Sequence, residues 1–87
     1  MTQTTTEKAA YPIIADVLSV EPDWVRPDAV LTDAPGSDSL DIVELQMALE
    51  DAFNIRMSDP ELAPVETVKQ LTDLVDEKVQ AKAAARA

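Results

Sequence analysis

Three stretches of this chain carry apolar residues at helical spacing, and proline breaks up the segment between the first two. Ala10, Ile13, Ile14, Val17 and Leu18 fall at i, i+3, i+4, i+7 and i+8, which is one face of a helix. Ile42, Leu45, Leu49, Ala52 and Phe53 form a second such stripe within residues 39–54. Val68, Leu71, Leu74, Val75 and Val79 form a third, with Thr67 placed to cap it. Residues 19–38 contain Pro22, Pro27, Pro35 and Gly36 and read as one long ordered loop. Trp24, Val25, Val30 and Leu31 are its candidate anchors to the core. Asp59-Pro60-Glu61 reads as a single short helical turn, capped by Asp59 with Pro60 at its first position and ended by Pro64. The expectation is an all-α bundle of three main helices and one short one, with a long first loop.

Pro12 complicates the first helix. A proline inside a helix removes a backbone donor and clashes with the carbonyl four residues back, at a cost of about 3 kcal/mol. The helix is therefore expected to start late, near Tyr11, or to be kinked, with position 12 pointing away from the apolar face. Residues 1–87 read as one domain with fraying ends at 1–5 and 82–87.

Composition removes whole classes of chemistry. There is no Cys and no His, so thiolate catalysis, disulfides and the usual zinc and Ser-His sites are excluded. No side-chain set pairs a nucleophile with a base, so an enzyme is not expected. No apolar run approaches a membrane span, and Met1–Lys8 lacks the pattern of a signal peptide. Cytoplasmic location and a monomer are the default expectations. The formal net charge is −10, which repels nucleic acid.

The acids are unevenly placed. No Lys, Arg or His lies between Arg26 and Arg56, while Asp28, Asp33, Asp38, Asp41, Glu44, Glu50 and Asp51 all do. Such a run is either a solubilising surface or a field that steers basic partners. Leu40, Val43 and Met47 form a second apolar line on the middle helix, beside its core stripe. Periodicity alone leaves two readings open: one wide buried face, or one face for the core and another for a partner.

Ser39 stands where that helix begins. By itself it reads as part of a helix cap, with Gly36, the only glycine, supplying a turn. The first turn of a helix also favours an anion through its unpaired N–H groups. With no basic residue near, the position suits a covalently attached phosphate better than a reversibly bound one.

The segment Gly36-Ser37-Asp38-Ser39-Leu40 resembles the Gly-x-Asp-Ser-Leu motif of the acyl carrier protein family. The likeness continues through Asp41, Val43-Glu44-Leu45, Met47-Ala48-Leu49-Glu50 and Phe53, and extends over roughly Glu7 to Val79. It implies that a phosphopantetheinyl transferase, using coenzyme A and magnesium, attaches a 4'-phosphopantetheine arm to Ser39, flanked by Asp38 and Leu40. Acyl groups are then carried as thioesters on that arm, so the thiol missing from the chain is imported. The resemblance further implies that basic patches of acyl-transferring and acyl-processing enzymes dock on Asp38, Asp41, Glu44, Glu50 and Asp51. Leu40, Val43 and Met47 would be the apolar contacts, which favours the two-face reading. Leu31, Leu49, Phe53, Met57, Val65 and Leu71 are the expected lining of an acyl-chain site, against the alternative of a closed core. Leu71 stands where many relatives have a small residue and is expected to limit long chains. Pro12, Pro35 and Trp24 depart from the family pattern and leave open a carrier dedicated to one pathway. Two further readings remain: an aminoacyl or peptidyl carrier, and an unmodified acidic adaptor.

Overall fold

Helical periodicity in the sequence becomes four helices in the computed structural model, which describes residues 5–34 and 39–86. They are α1 (Thr5–Leu18), α2 (Ser39–Phe53), α3 (Asp59–Leu62) and α4 (Val68–Arg86). Two short 3-10 turns, Pro22–Trp24 and Leu31–Asp33, interrupt the long first loop. Among the described residues there is no strand, only an isolated antiparallel bridge between Val30 and Thr67.

The first helix starts earlier than proline chemistry alone suggests. It runs from Thr5 through Pro12 and does not begin near Tyr11. Two contacts hold the turns before the proline. Ala10 is fully buried, and the buried Thr6 hydroxyl donates to the Asp76 carboxylate on α4 at 2.8 Å. The ring of Pro12 is exposed, as expected, so the core is undisturbed. Tertiary packing outweighs the lost backbone bond.

The core is one cluster of aliphatic side chains. Ile14, Leu45, Leu49, Val68 and Val75 are its most deeply buried large members. Ile42 and Phe53 are half-buried against it. Ala52, expected in the stripe of α2, is exposed. The buried face follows Ile42, Leu45, Leu49 and Phe53, and that spacing carries Ala52 round to the flank. Both long helices before the connectors end on a left-handed residue, Ser19 at φ 56° and Asn54 at φ 54°. Asn tolerates that conformation well. After each, a reversed backbone bond closes the end: Val20 N–H to the Ala15 carbonyl, and Ile55 N–H to the Glu50 carbonyl, both at 3.0 Å.

The first loop is anchored at Val25 and Leu31, both buried, while Trp24 and Val30 are half-buried. Backbone bonds strap it to the entry of α4: Leu31 N–H to the Glu66 carbonyl and Val68 N–H to the Ala29 carbonyl, each 2.9 Å. Thr67 caps α4 as expected, its hydroxyl accepting from the Gln70 N–H at 3.2 Å. The cap of α3 is Ser58, not Asp59. Glu61 is the better partner for Ser58, and the two form a reciprocal capping box. At the far end of α4, the Lys82 ammonium donates to the Phe53 carbonyl at the end of α2, at 3.5 Å. A cation suits the negative end of that helix.

Candidate functional site: the outer face of α2 and the adjoining cleft

Ser39 is the first residue of α2. Only its backbone is described, and Asp38 lies outside the described residues. The site is therefore built from the helix that Ser39 opens.

Leu40, Val43 and Met47 are the exposed large hydrophobic residues of the described chain, at 67%, 49% and 62% exposure. Their spacing places them in one line along α2, turned away from Leu45 and Leu49. One wide buried face is thereby excluded. An exposed apolar line on a helix whose other face already turns Leu45 and Leu49 into the core is the kind of surface that marks a binding site.

The acids beside the line divide into two groups. Glu44 and Asp51 are exposed, and Asp41 is half-buried. Glu50 turns inward: its carboxylate accepts the Met57 N–H at 2.8 Å, while the Gln46 amide donates to the Met57 carbonyl at 2.7 Å. Together the two side chains clamp the connector that follows α2. Glu50 thus has an internal structural task, and the outward field of the described helix comes chiefly from Glu44 and Asp51.

An apolar cleft of about 310 Å³ opens between the inner edge of α2, the first loop and the α3 segment. This lies at the lower end of the roughly 300–1,000 Å³ usual for small-molecule sites. Of the residues expected to line an acyl-chain site, Leu31, Val65 and Leu71 stand in its wall. Leu49 and Met57 are buried in the core, and Phe53 packs partly against it; none of these three reaches the cleft wall. Ile42 and Leu45 line it instead, together with Val30, Gln46 and Leu62. The periodicity of α2 marks Ile42 and Leu45 as inward but does not say whether inward means core or cleft. Gln46 carried no sequence signal at all.

One carboxylate in this region has a shifted acidity. Glu61 of α3 is lowered from 4.5 to about 2, first by its bond to the Lys78 ammonium and then by its bonds to Ser58. Among the described residues, no group of three His, Cys, Asp or Glu is arranged to hold a metal, and no helix is long and apolar enough to cross a membrane.

Comparison with known proteins identifies the family. The family model described as a phosphopantetheine attachment site matches residues 11–75. An acyl carrier protein of Thermosynechococcus vestitus is 44% identical over 69 residues, covering 79% of this chain and 85% of that protein. One of Syntrophobacter fumaroxidans is 44% identical over 61 residues, covering 70% and 75%. One of Chlorobium phaeobacteroides is 35% identical over 78 residues, covering 90% of this chain and all of that protein. A helix led by a serine, an exposed apolar line with acids beside it and a match over most of the chain lead to one conclusion: the chain belongs to the acyl carrier proteins, phosphopantetheine-bearing carriers that are not themselves catalysts.

Proposed function

We propose that Ser39 is the attachment point of the phosphopantetheine arm, and that the chain carries acyl groups for a fatty-acid, polyketide or specialised lipid pathway. The observation that carries this reading is the position of Ser39 as the first residue of α2, the helix that also bears the exposed Leu40, Val43 and Met47. The first residue of a helix lies at the positive end of its dipole, which favours a phosphodiester attached there. The chain holds no cysteine, so the arm supplies the thiol on which acyl groups are carried as thioesters.

The chain's own residues do the rest by presentation. Glu44 and Asp51 attract basic surfaces, Asp41 extends that field toward the serine, Asp38 adds its charge just before the serine in the sequence, and Leu40, Val43 and Met47 give the docked enzyme apolar contacts. Partners of this kind are a phosphopantetheinyl transferase and acyl-processing enzymes with basic patches. Each exposed charge pair contributes only about 0–1 kcal/mol. Docking is therefore salt-sensitive and quick to release, as a carrier visiting several enzymes requires. The cleft beside α2 is the site for a short acyl chain.

Incubating the protein with coenzyme A, magnesium and a broad-specificity transferase tests the attachment point. Intact mass should rise by one phosphopantetheine in the parent chain and stay unchanged in Ser39→Ala. A mass gain that survives Ser39→Ala refutes the assignment.

A further inference from the structure

The two carboxylate oxygens of Glu61 serve different neighbours. Oε1 accepts from the Ser58 N–H and from the Ser58 hydroxyl, each at 2.9 Å. Oε2 meets the ammonium of Lys78 on α4. One side chain thus closes the cap of α3 and ties α3 to a long helix.

The tie matters because α3 has little else. It is four residues long, far below the roughly 12 residues at which isolated helices become even marginal in water. Asp59, Pro60, Ala63 and Pro64 are exposed, and Leu62 and Val65 are only half-buried. The segment is clamped at both ends. Before it, Glu50 and Gln46 hold Met57; after it, the Leu31 N–H holds the Glu66 carbonyl at 2.9 Å. Between these clamps, Glu61–Lys78 is the one ion pair or side-chain hydrogen bond that joins residues 58–65 to another element, among the described residues. Leu62, Ala63 and Val65 meanwhile form one wall of the cleft.

We infer that the Glu61–Lys78 pair is a latch that holds residues 58–65 as the movable wall of the cleft, and that Lys78 thereby sets how firmly the cleft retains an acyl chain. The second half rests on reading the cleft as the cargo site. Lys78 is a positioning residue: it does not line the cleft and acts on the wall through Glu61. With the pair broken, the four-residue helix unwinds between its two clamped ends and releases its internal N–H groups, because among the described residues no other ion pair or side-chain hydrogen bond ties it to another element.

Amide hydrogen exchange on the unloaded full-length protein tests the latch. The Leu62, Ala63 and Val65 N–H groups bond to the carbonyls of Ser58, Asp59 and Leu62 and report opening directly. Lys78→Met should speed their exchange by about two- to fivefold, the range for a partly exposed pair, and leave the core amides of Leu49 and Val75 unchanged. Lys78→Arg should restore the parent rates. Glu61→Gln keeps an acceptor for the cap and loses the charge, so it should behave like Lys78→Met. On the octanoyl-loaded protein, Lys78→Met should also speed release of the octanoyl group by hydroxylamine by a similar factor. Unchanged exchange in Lys78→Met overturns the latch. Faster exchange with unchanged release overturns the cargo reading of the cleft, and with it the control assigned to Lys78.

Discussion

Leu71→Ala is the perturbation that best separates a cargo site from a gap in the core. Leu71 is 2% exposed on α4, yet it also lines the cleft. The substitution removes Cγ and both Cδ atoms. At about 0.8 kcal/mol per buried carbon, the transfer loss is about 2.4 kcal/mol. Leu→Ala in a closed core costs about 2–5 kcal/mol, because a cavity is left behind. Here one side of the residue already faces open space, so fewer contacts are lost. The expected destabilisation of the unloaded protein is about 2–3 kcal/mol, read by urea denaturation. The loaded protein should behave differently. A cargo chain entering the cleft refills the lost volume, at about 0.8 kcal/mol for each further methylene buried. A series of acyl chains from butyryl to dodecanoyl should therefore stabilise Leu71→Ala progressively. The chain length giving maximal stability should lie about three methylenes beyond that of the parent. If Leu71→Ala loses the expected stability while the optimum chain length stays put, Leu71 is a core residue only and the cleft does not hold cargo.

The two kinds of acid on α2 should separate cleanly. Glu50→Ala removes the acceptor of the Met57 N–H and should cost about 1.5–3 kcal/mol in urea denaturation, whereas Glu44→Ala should lie within about 0.5 kcal/mol of the parent. Glu44→Lys should slow transferase modification and flatten its salt dependence while leaving the circular dichroism of the helices intact; an unchanged rate and salt slope would remove Glu44 from the docking surface. Met47→Asp should weaken docking without loss of stability, since Met47 is exposed, and a fall in denaturation midpoint would place it in the core instead. The Glu61 carboxyl is lowered in the folded state, so its contribution is complete above about pH 4.5 and is lost as pH falls toward about 2. Stability measured across that window should fall less steeply in Glu61→Gln, and identical slopes would show that the carboxylate makes neither its Lys78 nor its Ser58 bonds in the folded protein.

Much of the site was legible because its chemistry is local. The motif around Ser39, the line of Leu40, Val43 and Met47, and the cap of α4 at Thr67 all follow from residues a few positions apart. What was missed depends on side chains far apart in the chain. Local chemistry leaves open whether α1 starts near Tyr11 or earlier, and the earlier start is decided by Thr6 and Ala10, held by packing and by Asp76 on α4, which outweighs the local penalty of Pro12. Glu50 looked like its acidic neighbours until the connector folded back and placed the Met57 N–H against it. Ser58 outcompeted Asp59 as a cap because the capping box needs Glu61 three residues on.

The sequence by itself determined the helices and their order, the missing thiol and imidazole, the acidic middle and the serine that opens α2. Those follow from periodicity and composition, which need no fold to be read. Only the tertiary structure decided which inward residues face the core and which the cleft, which acids of α2 point outward, and that Glu61 of α3 meets Lys78 of α4. Each of these depends on which surfaces meet when α2, α3 and α4 pack, and helical spacing fixes the direction of a side chain without fixing what it finds there.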